Sequence, residues 1–251
     1  MGYTSPIASS KNLLRIKGFY HLNGYEVRLK KEIAPIGLQN MFLSSSPNYL
    51  EIFPHKDKLA SIVLITPLKN YNNMIITNEL EFIINSSPYK HYFERSIPNQ
   101  MYRGLVPIGI LKKNLYGRIL FFGEAGQMNP ASSSTTLTKL LKIFKQYSND
   151  ISEWIRTDNS DTKTLTFLPA INRFNQIFQI NLFDEILDFN SDRFLNLIQE
   201  MQNFDDSLIN DMIFGELDFS DLVKRRSLLT FFSNKTNILR KSLLKTLLSL
   251  K

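Results

Sequence analysis

Apolar and polar positions alternate through roughly the first half of the chain and fall at helical spacing through the second. In "GFYHLNGYEVRL", residues 18–29, aromatic and β-branched residues surround an Asn-Gly pair, which predicts two short strands joined by a tight turn. "NYLEIFPHKDKLASIVLIT", residues 48–66, repeats the form: an apolar run, a Pro-His-Lys-Asp-Lys turn and a second run from Leu59. Residues 77–96 read as more helical, with Leu80, Phe82, Ile83 and Ile84 clustered before Pro88. Two further strands are expected at Leu105–Ile110 and Arg118–Phe122.

Beyond Pro130 the period changes. Residues 132–155 place apolar side chains at 137, 140, 141, 144, 147, 151 and 155, the repeat of an amphipathic helix, with Ser and Thr at its start to cap free N–H groups. Helices are also expected in 172–189, 191–204 and 220–232. The pattern divides the chain into a β-rich region, 1–130, and a helical region, 131–251. The expected class is α+β: an antiparallel sheet, a strand-turn-helix and a helical C-terminal region.

Charge narrows the choice of partner. The net charge of +7 suits an anion, but it is unevenly spread. Between Asp184 and Asp221 there are eleven acidic residues and one basic, Arg193, whereas Leu222–Lys251 holds eight basic residues and none acidic. That distribution, without a helix-turn-helix, zinc-finger or RNA-recognition signature, argues against nucleic acid. Cysteine is absent, which removes disulfides, thiolate catalysis and Cys-ligated metals and fits a reducing, cytoplasmic setting. His21, His55 and His91 stand too far apart to make a metal-binding pair, so no metal is expected.

The last fifteen residues, "NILRKSLLKTLLSLK", set Leu239, Leu243, Leu247 and Leu250 on one side and Arg240, Lys241 and Lys245 on the other. Such a helix suits an anionic membrane surface over 238–251, a membrane-peripheral placement. It equally suits packing on its own domain or against the acidic segment 184–221.

The stretch that invites chemistry is "FFGEAGQMNPASSSTT", residues 121–136. A strand running through glycines into a helix aims backbone N–H groups at one spot, where a phosphate or a ring oxygen can sit. Gly123 and Gly126 admit close approach, and Glu124 can accept hydrogen bonds from ribose or ribityl hydroxyls. The same glycines also serve a plain tight turn, with Glu124 solvated. The dinucleotide fingerprint GxGxxG does not occur in the 251 residues.

"GLVPIGILKKNLYGRILFFGEAGQMNPASSSTT" resembles the second flavin-contacting segment of flavin-dependent oxidoreductases built like the aromatic hydroxylases, and is most similar to the lycopene cyclase-like branch. Gly104, Pro107 and Gly109 fit that family's glycine-proline-glycine strand; Gly123, Glu124, Ala125 and Pro130 fit its glycine-acid-alanine strand end and the proline after it. Gly2, Ser5 and Pro6 match a segment closing the family's first half, and Pro169, Arg173, Phe178 and Arg193 fall where its helical tail places their kind.

The resemblance implies FAD as cofactor, held at Gly123, Glu124, Ala125, Gly126 and Pro130, and a hydrophobic polyene or isoprenoid as substrate. It names no catalytic residue. It also implies a substrate-facing sheet bearing Phe19, Tyr20, Tyr25, Phe53 and Ile62, with Glu51 and His55 beside its second hairpin. The family's fingerprint strand has no counterpart here, so the chain reads as the distal part of such an enzyme. Ser132–Thr136 stands where relatives carry glycines. A cofactor-free module binding a lipid or a partner protein at a membrane is the alternative reading.

Overall fold

Ten consecutive residue pairs join the first strand of the sheet to the fourth and decide how the N-terminal sequence is used. In the computed structural model, which describes residues 11–31, 36–43, 46–69, 84–85, 88–94, 101–112, 115–117, 119–123, 125–127, 131, 136–157, 173–224, 231 and 238–250, β1 runs unbroken over Leu14–Arg28. Strands β2 (Ile36–Leu43), β3 (Ser46–Pro54), β4 (Leu59–Leu68) and β5 (Met101–Leu111) complete a five-stranded sheet in the order β2-β3-β4-β1-β5. β1 lies antiparallel to β4 from Phe19↔Leu68 to Arg28↔Leu59, and β4 lies antiparallel to β3.

The hairpin expected at Asn23-Gly24 does not form. Asn23 pairs with Leu64 and Gly24 with Val63, so the dipeptide sits inside the ladder. A tight hairpin turn would need positive φ there, and neither residue adopts it. A turn at that point would also break the ladder with β4 and its cross-strand contacts. The second hairpin forms as expected: a short 3-10 turn at Lys56–Lys58, with Asp57 and Lys58 at positive φ, joins β3 to β4.

Two further strands, β6 (Leu115–Tyr116) and β7 (Ile119–Leu120), make a small hairpin turned at Gly117, φ 57°. The strand expected over Arg118–Phe122 is therefore only two residues long. The helix expected after Pro130 is present as α1 (Thr136–Arg156). It is followed by α2 (Arg173–Ile186), α3 (Ser191–Met201), α4 (Asp206–Ile213), α5 (Phe219–Lys224) and α6 (Ile238–Ser249). The sequence reading passed over α4, although Asp205 marks its start by accepting the Leu208 N–H at 2.8 Å. Of the segment 77–96 only 84–85, a helical turn, and 88–94 are described, the latter opening with a 3-10 turn at Pro88–His91 and bridging to Leu29 through Phe93.

The chain divides into two compact units. One comprises residues 1–17, 108–185 and 195–251; the other comprises 18–107 and 186–194. The core of the second is built on the sheet face that carries Tyr25, Val27, Leu50, Ile52, Ala60, Ile62 and Leu64, closed by Leu29, Ile84 and Phe93. The alternation read from the sequence is what puts these side chains on one face.

In the first unit the helices pack through aromatic rings. Phe178 meets Phe231 edge-on with centroids 6.3 Å apart, and Phe231 meets Phe204 at 4.7 Å. Amide side chains of α2 satisfy backbone carbonyls: Asn175 donates to Gly215 and Gln179 to Met212, each at 2.6 Å.

The acidic segment and the basic tail meet within this unit. Glu200, 1% exposed, accepts the N–H groups of Ile238 and Leu239 at 3.0 and 2.9 Å and so caps α6. Lys241 and Lys245 reach the Glu185 carboxylate at 3.1 and 2.6 Å. Burial raises the pKa of Glu185, but hydrogen bonds and charge from Lys245 and Lys241 outweigh it and leave the group below its usual value. Ile238, Leu239, Ser242, Leu243 and Thr246 are buried, while Leu244, Leu248 and Leu250 stay exposed. No helix among the described residues is long and apolar enough to cross a membrane.

Candidate functional site

The turn after β7 is wound tightly by its own backbone. Gly126 N–H is directed at the carbonyls of Gly123 (3.1 Å) and Phe122 (3.3 Å), and Gly123 itself has φ 60°. A Cβ at Gly126 would lie 2.7 Å from the Phe121 carbonyl oxygen, so the fold itself demands glycine there. A Cβ at Gly123 would meet nothing within 4 Å. Its left-handed backbone favours glycine, and the space beside it is open. The two glycines thus do different work: Gly126 closes the turn, and Gly123 leaves an approach to it.

Ala125 packs against the buried cluster of Leu13, Leu111 and Phe121, so its side chain is committed to the interior. Glu124 and Pro130 lie outside the described residues. Of the expected cofactor-contacting positions that are described, Gly123 is the one with room for a ligand.

β5 and the turn are held together by a contact the sequence reading missed. The Gly109 N–H donates to Gln127 Oε1 at 2.7 Å, and Gln127 sits at φ 50°. A Cβ at Gly109 would fall 2.6 Å from the Arg15 carbonyl oxygen, which explains the glycine as a close approach of β5 to β1. Gly104, by contrast, has ordinary space, its nearest neighbour being Leu22 at 3.5 Å. The signal for Gln127 was available: it directly follows the second glycine, where a long amide can fold back onto a neighbouring strand.

On the other side the turn is tied to α1. The rings of Phe122 and Tyr147 lie 4.0 Å apart between centroids. Desolvation lifts the Tyr147 phenol to about 12, so it stays protonated at neutral pH.

The residues expected on a substrate-facing sheet separate onto two faces. Tyr25 and Ile62 are directly paired and buried, and Phe19 shares their face by alternation. Tyr20 and Phe53 fall on the opposite face, Phe53 at 48% exposure. Glu51, paired with Val63, also lies on that opposite face, and burial raises its pKa. His55 is exposed and shares a 2.8 Å hydrogen bond with Ser61. Phe178 is a core residue. Arg193 is fixed by its neighbours, its guanidinium donating to the Asp188 carbonyl at 3.2 Å and lying over Phe189. Arg173 opens α2 on the surface; Gly2, Ser5, Pro6 and Pro169 lie outside the described residues.

With this geometry the chain is similar to a geranylgeranyl bacteriochlorophyll reductase-like protein from Thermoplasma acidophilum, with TM-score 0.50 and 14% identity over 98% of this chain and 56% of that one. The likeness shows the fold. It is the α+β arrangement of an antiparallel sheet with a helical region, as the alternation and helical spacing predict. Weaker likenesses are to the Diels-Alderase PyrE3 of pyrroindomycin biosynthesis (TM-score 0.39, 11% identity, 98% of this chain and 48% of that one) and to CabE, an aromatic hydroxylase from angucycline biosynthesis (TM-score 0.40, 12% identity, 98% and 45%). The chain spans about half the length of each of these structures. No family model matches it, and no curated protein does.

Proposed function

We propose that this chain supplies the flavin-contacting turn and the substrate-facing sheet of an FAD-dependent oxidoreductase. The observation that carries this reading is the hydrogen bond from Gly109 to Gln127, which joins the two segments singled out by the resemblance. Beside that junction Gly123 offers open space at a left-handed glycine, the feature a flat ring or a ribityl chain needs for close approach. Gly123, Glu124 and Pro130 would meet the cofactor, with Ala125 and Gly126 as the scaffold of the turn. Bound there, a flavin supplies hydride or electron-pair chemistry. The chain's own residues position it, through the Phe122–Tyr147 ring pair and the wound turn.

The substrate in this reading is hydrophobic, of the isoprenoid or polyene class, and the finer form is a lycopene cyclase-like reaction. The fold shared with a protein whose name carries a geranylgeranyl group supports a hydrophobic substrate. The test is a titration of the purified chain with FAD, followed by quenching of flavin fluorescence. Saturable quenching that weakens at least tenfold in Gly123→Ala is expected; equal quenching in both proteins would remove the turn from the site.

A second reading, a cofactor-free module for a lipid or protein partner at an anionic membrane, is favoured by the apolar side chains left exposed on two helices. Leu141, Phe144 and Ile155 of α1 are 63–66% exposed, and Leu244 and Leu248 of α6 are also open. Sedimentation with anionic vesicles together with no quenching of FAD would favour it.

A further inference from the structure

The small hairpin of β6 and β7, in the first unit, presents an uncovered apolar face. Tyr116 and Ile119 are directly paired, so their side chains share that face, and each is 39% exposed. Leu115 and Leu120, on the opposite face, are half-buried. The tip is open as well, since a Cβ at Gly117 would meet nothing within 4 Å. A third apolar side chain, Ile16 of β1, is exposed between Arg15 and Lys17.

The charge around this hairpin has one sign. β1 and β5 are neighbours in the sheet, and the Lys112 N–H donates to the Leu13 carbonyl at 2.8 Å, so the start of β1 and the end of β5 lie side by side. Around these strand ends stand Lys11, Arg15 and Lys112, all exposed, and Lys17, half-buried. Lys11 Nζ lies 6.0 Å from the centre of the Tyr116 ring, which sets the cations beside the hairpin. Among the described residues none of the four is in an ion pair. Nor does the sequence supply an acid: residues 1–25 and 95–123 together hold eight Lys and Arg and no Asp or Glu.

The basic tail differs in this respect. Lys241 and Lys245 are held by Glu185, so much of the charge of α6 is answered within the chain. At the hairpin it is not. Exposed apolar groups ringed by such cations match a surface that is anionic outside and apolar beneath. A nucleic acid would answer the charge but give the aliphatic side chains of Ile16 and Ile119 no apolar phase to enter.

We propose that the β6–β7 hairpin docks the chain on an anionic phospholipid bilayer. Tyr116 and Ile119 enter the headgroup boundary, and Lys11, Arg15, Lys17 and Lys112 face the lipid charges. β7 ends three residues before Gly123, so docking brings that turn to the membrane surface, where a hydrophobic substrate partitions. The proposal goes beyond the flavin reading and does not need a flavin to be bound.

Co-sedimentation of the full chain with vesicles of equal parts phosphatidylcholine and phosphatidylglycerol, against pure phosphatidylcholine, tests it. Binding to the anionic vesicles about tenfold tighter than to the neutral ones, and weakened by added salt, is expected. Tyr116→Ser with Ile119→Ser is expected to weaken it about tenfold. Lys11→Gln with Lys112→Gln, which changes only exposed charges, is expected to do the same. Leu244→Ser with Leu248→Ser, on α6, should bind as the native chain does. Absence of vesicle binding, equal binding to both vesicles, or binding kept in the hairpin pair and lost in the α6 pair would overturn the proposal. Retention of a DNA duplex without vesicle binding would also overturn it and assign the basic surface to nucleic acid. FAD quenching on the same proteins separates the readings: quenching kept while vesicle binding fails overturns the docking surface alone, and the reverse overturns the flavin reading alone.

Discussion

The rings of Phe122 and Tyr147 meet at a tilt of 33° with centroids 4.0 Å apart, and that contact ties the turn at Gly123 to the helix that follows it. Phe122 immediately precedes the left-handed Gly123, and Tyr147 lies midway along α1. The position of the turn relative to the helix therefore depends on two side chains rather than on backbone pairing, because β7 before it is only two residues long.

Replacing Tyr147 with leucine removes the ring contact and is expected to destabilise the chain by about 1–2 kcal/mol. Tyr147→Phe keeps the ring and should be near neutral. Urea denaturation of the two variants makes the comparison, and a larger loss in Tyr147→Phe would show that the hydroxyl, not the ring, is what matters.

The two glycines of the turn should respond differently to alanine. At Gly126 the new Cβ would press on the Phe121 carbonyl at 2.7 Å, so the backbone must shift, at a cost of about 1–3 kcal/mol. At Gly123 the space is open and only the left-handed conformation is penalised, by about 1–2 kcal/mol. Gly123→Ala is thus expected to be the milder change in stability and, in the proposed flavin site, the more damaging to flavin binding. Thermal melts and FAD titrations on the same pair check both halves of that statement.

Gln127→Leu leaves the Gly109 N–H without its acceptor, and loss of a part-buried hydrogen bond of this kind costs about 1–3 kcal/mol. Gln127→Glu keeps an acceptor and should recover most of the loss. Hydrogen exchange at Gly109 reads the contact directly: faster exchange in Gln127→Leu is expected, with protection restored in Gln127→Glu.

Acid should destabilise the chain in two stages. Burial, and then the charge of Arg103, lowers the pKa of His21 in the fold, so it stays neutral there while the unfolded chain takes up a proton. Its contribution is present above its ordinary value of 6.5 and is lost as pH falls below it. Glu185 also has a lowered pKa, and its ion pairs with Lys245 and Lys241 contribute above its ordinary value of 4.5 and fail as pH falls further. Denaturation midpoints across pH 7 to 3 should fall twice; His21→Gln should flatten the upper step and Glu185→Gln the lower one. An unaltered profile in either variant would contradict the assignment for that residue.

Much of this fold was legible in the sequence because alternation and helical spacing are local signals. The β3–β4 hairpin and α1 follow directly from them. What was illegible depended on partners distant in the chain. Asn23-Gly24 carries a strong turn signal, yet ten paired residues of β4 outweigh it. His21, Asn23, Asn48 and Thr66 form a buried row only once three strands are in register. Residue spacing marked the turn at 123–126, but only the packing separated Gly123, which faces open space, from Gly126, which backs onto Phe121. The basic tail, suggestive of an outside partner when read alone, places Lys241 and Lys245 on Glu185 of its own chain.

If the turn at Gly123 holds a flavin as proposed, the purified chain retains it after incubation with FAD and removal of free cofactor, and its absorbance spectrum reads this directly. A retained band between 300 and 550 nm with resolved shoulders, present in the native chain and lost in Gly123→Ala, is the predicted result. A spectrum without flavin, from a chain that is folded by circular dichroism, would contradict it.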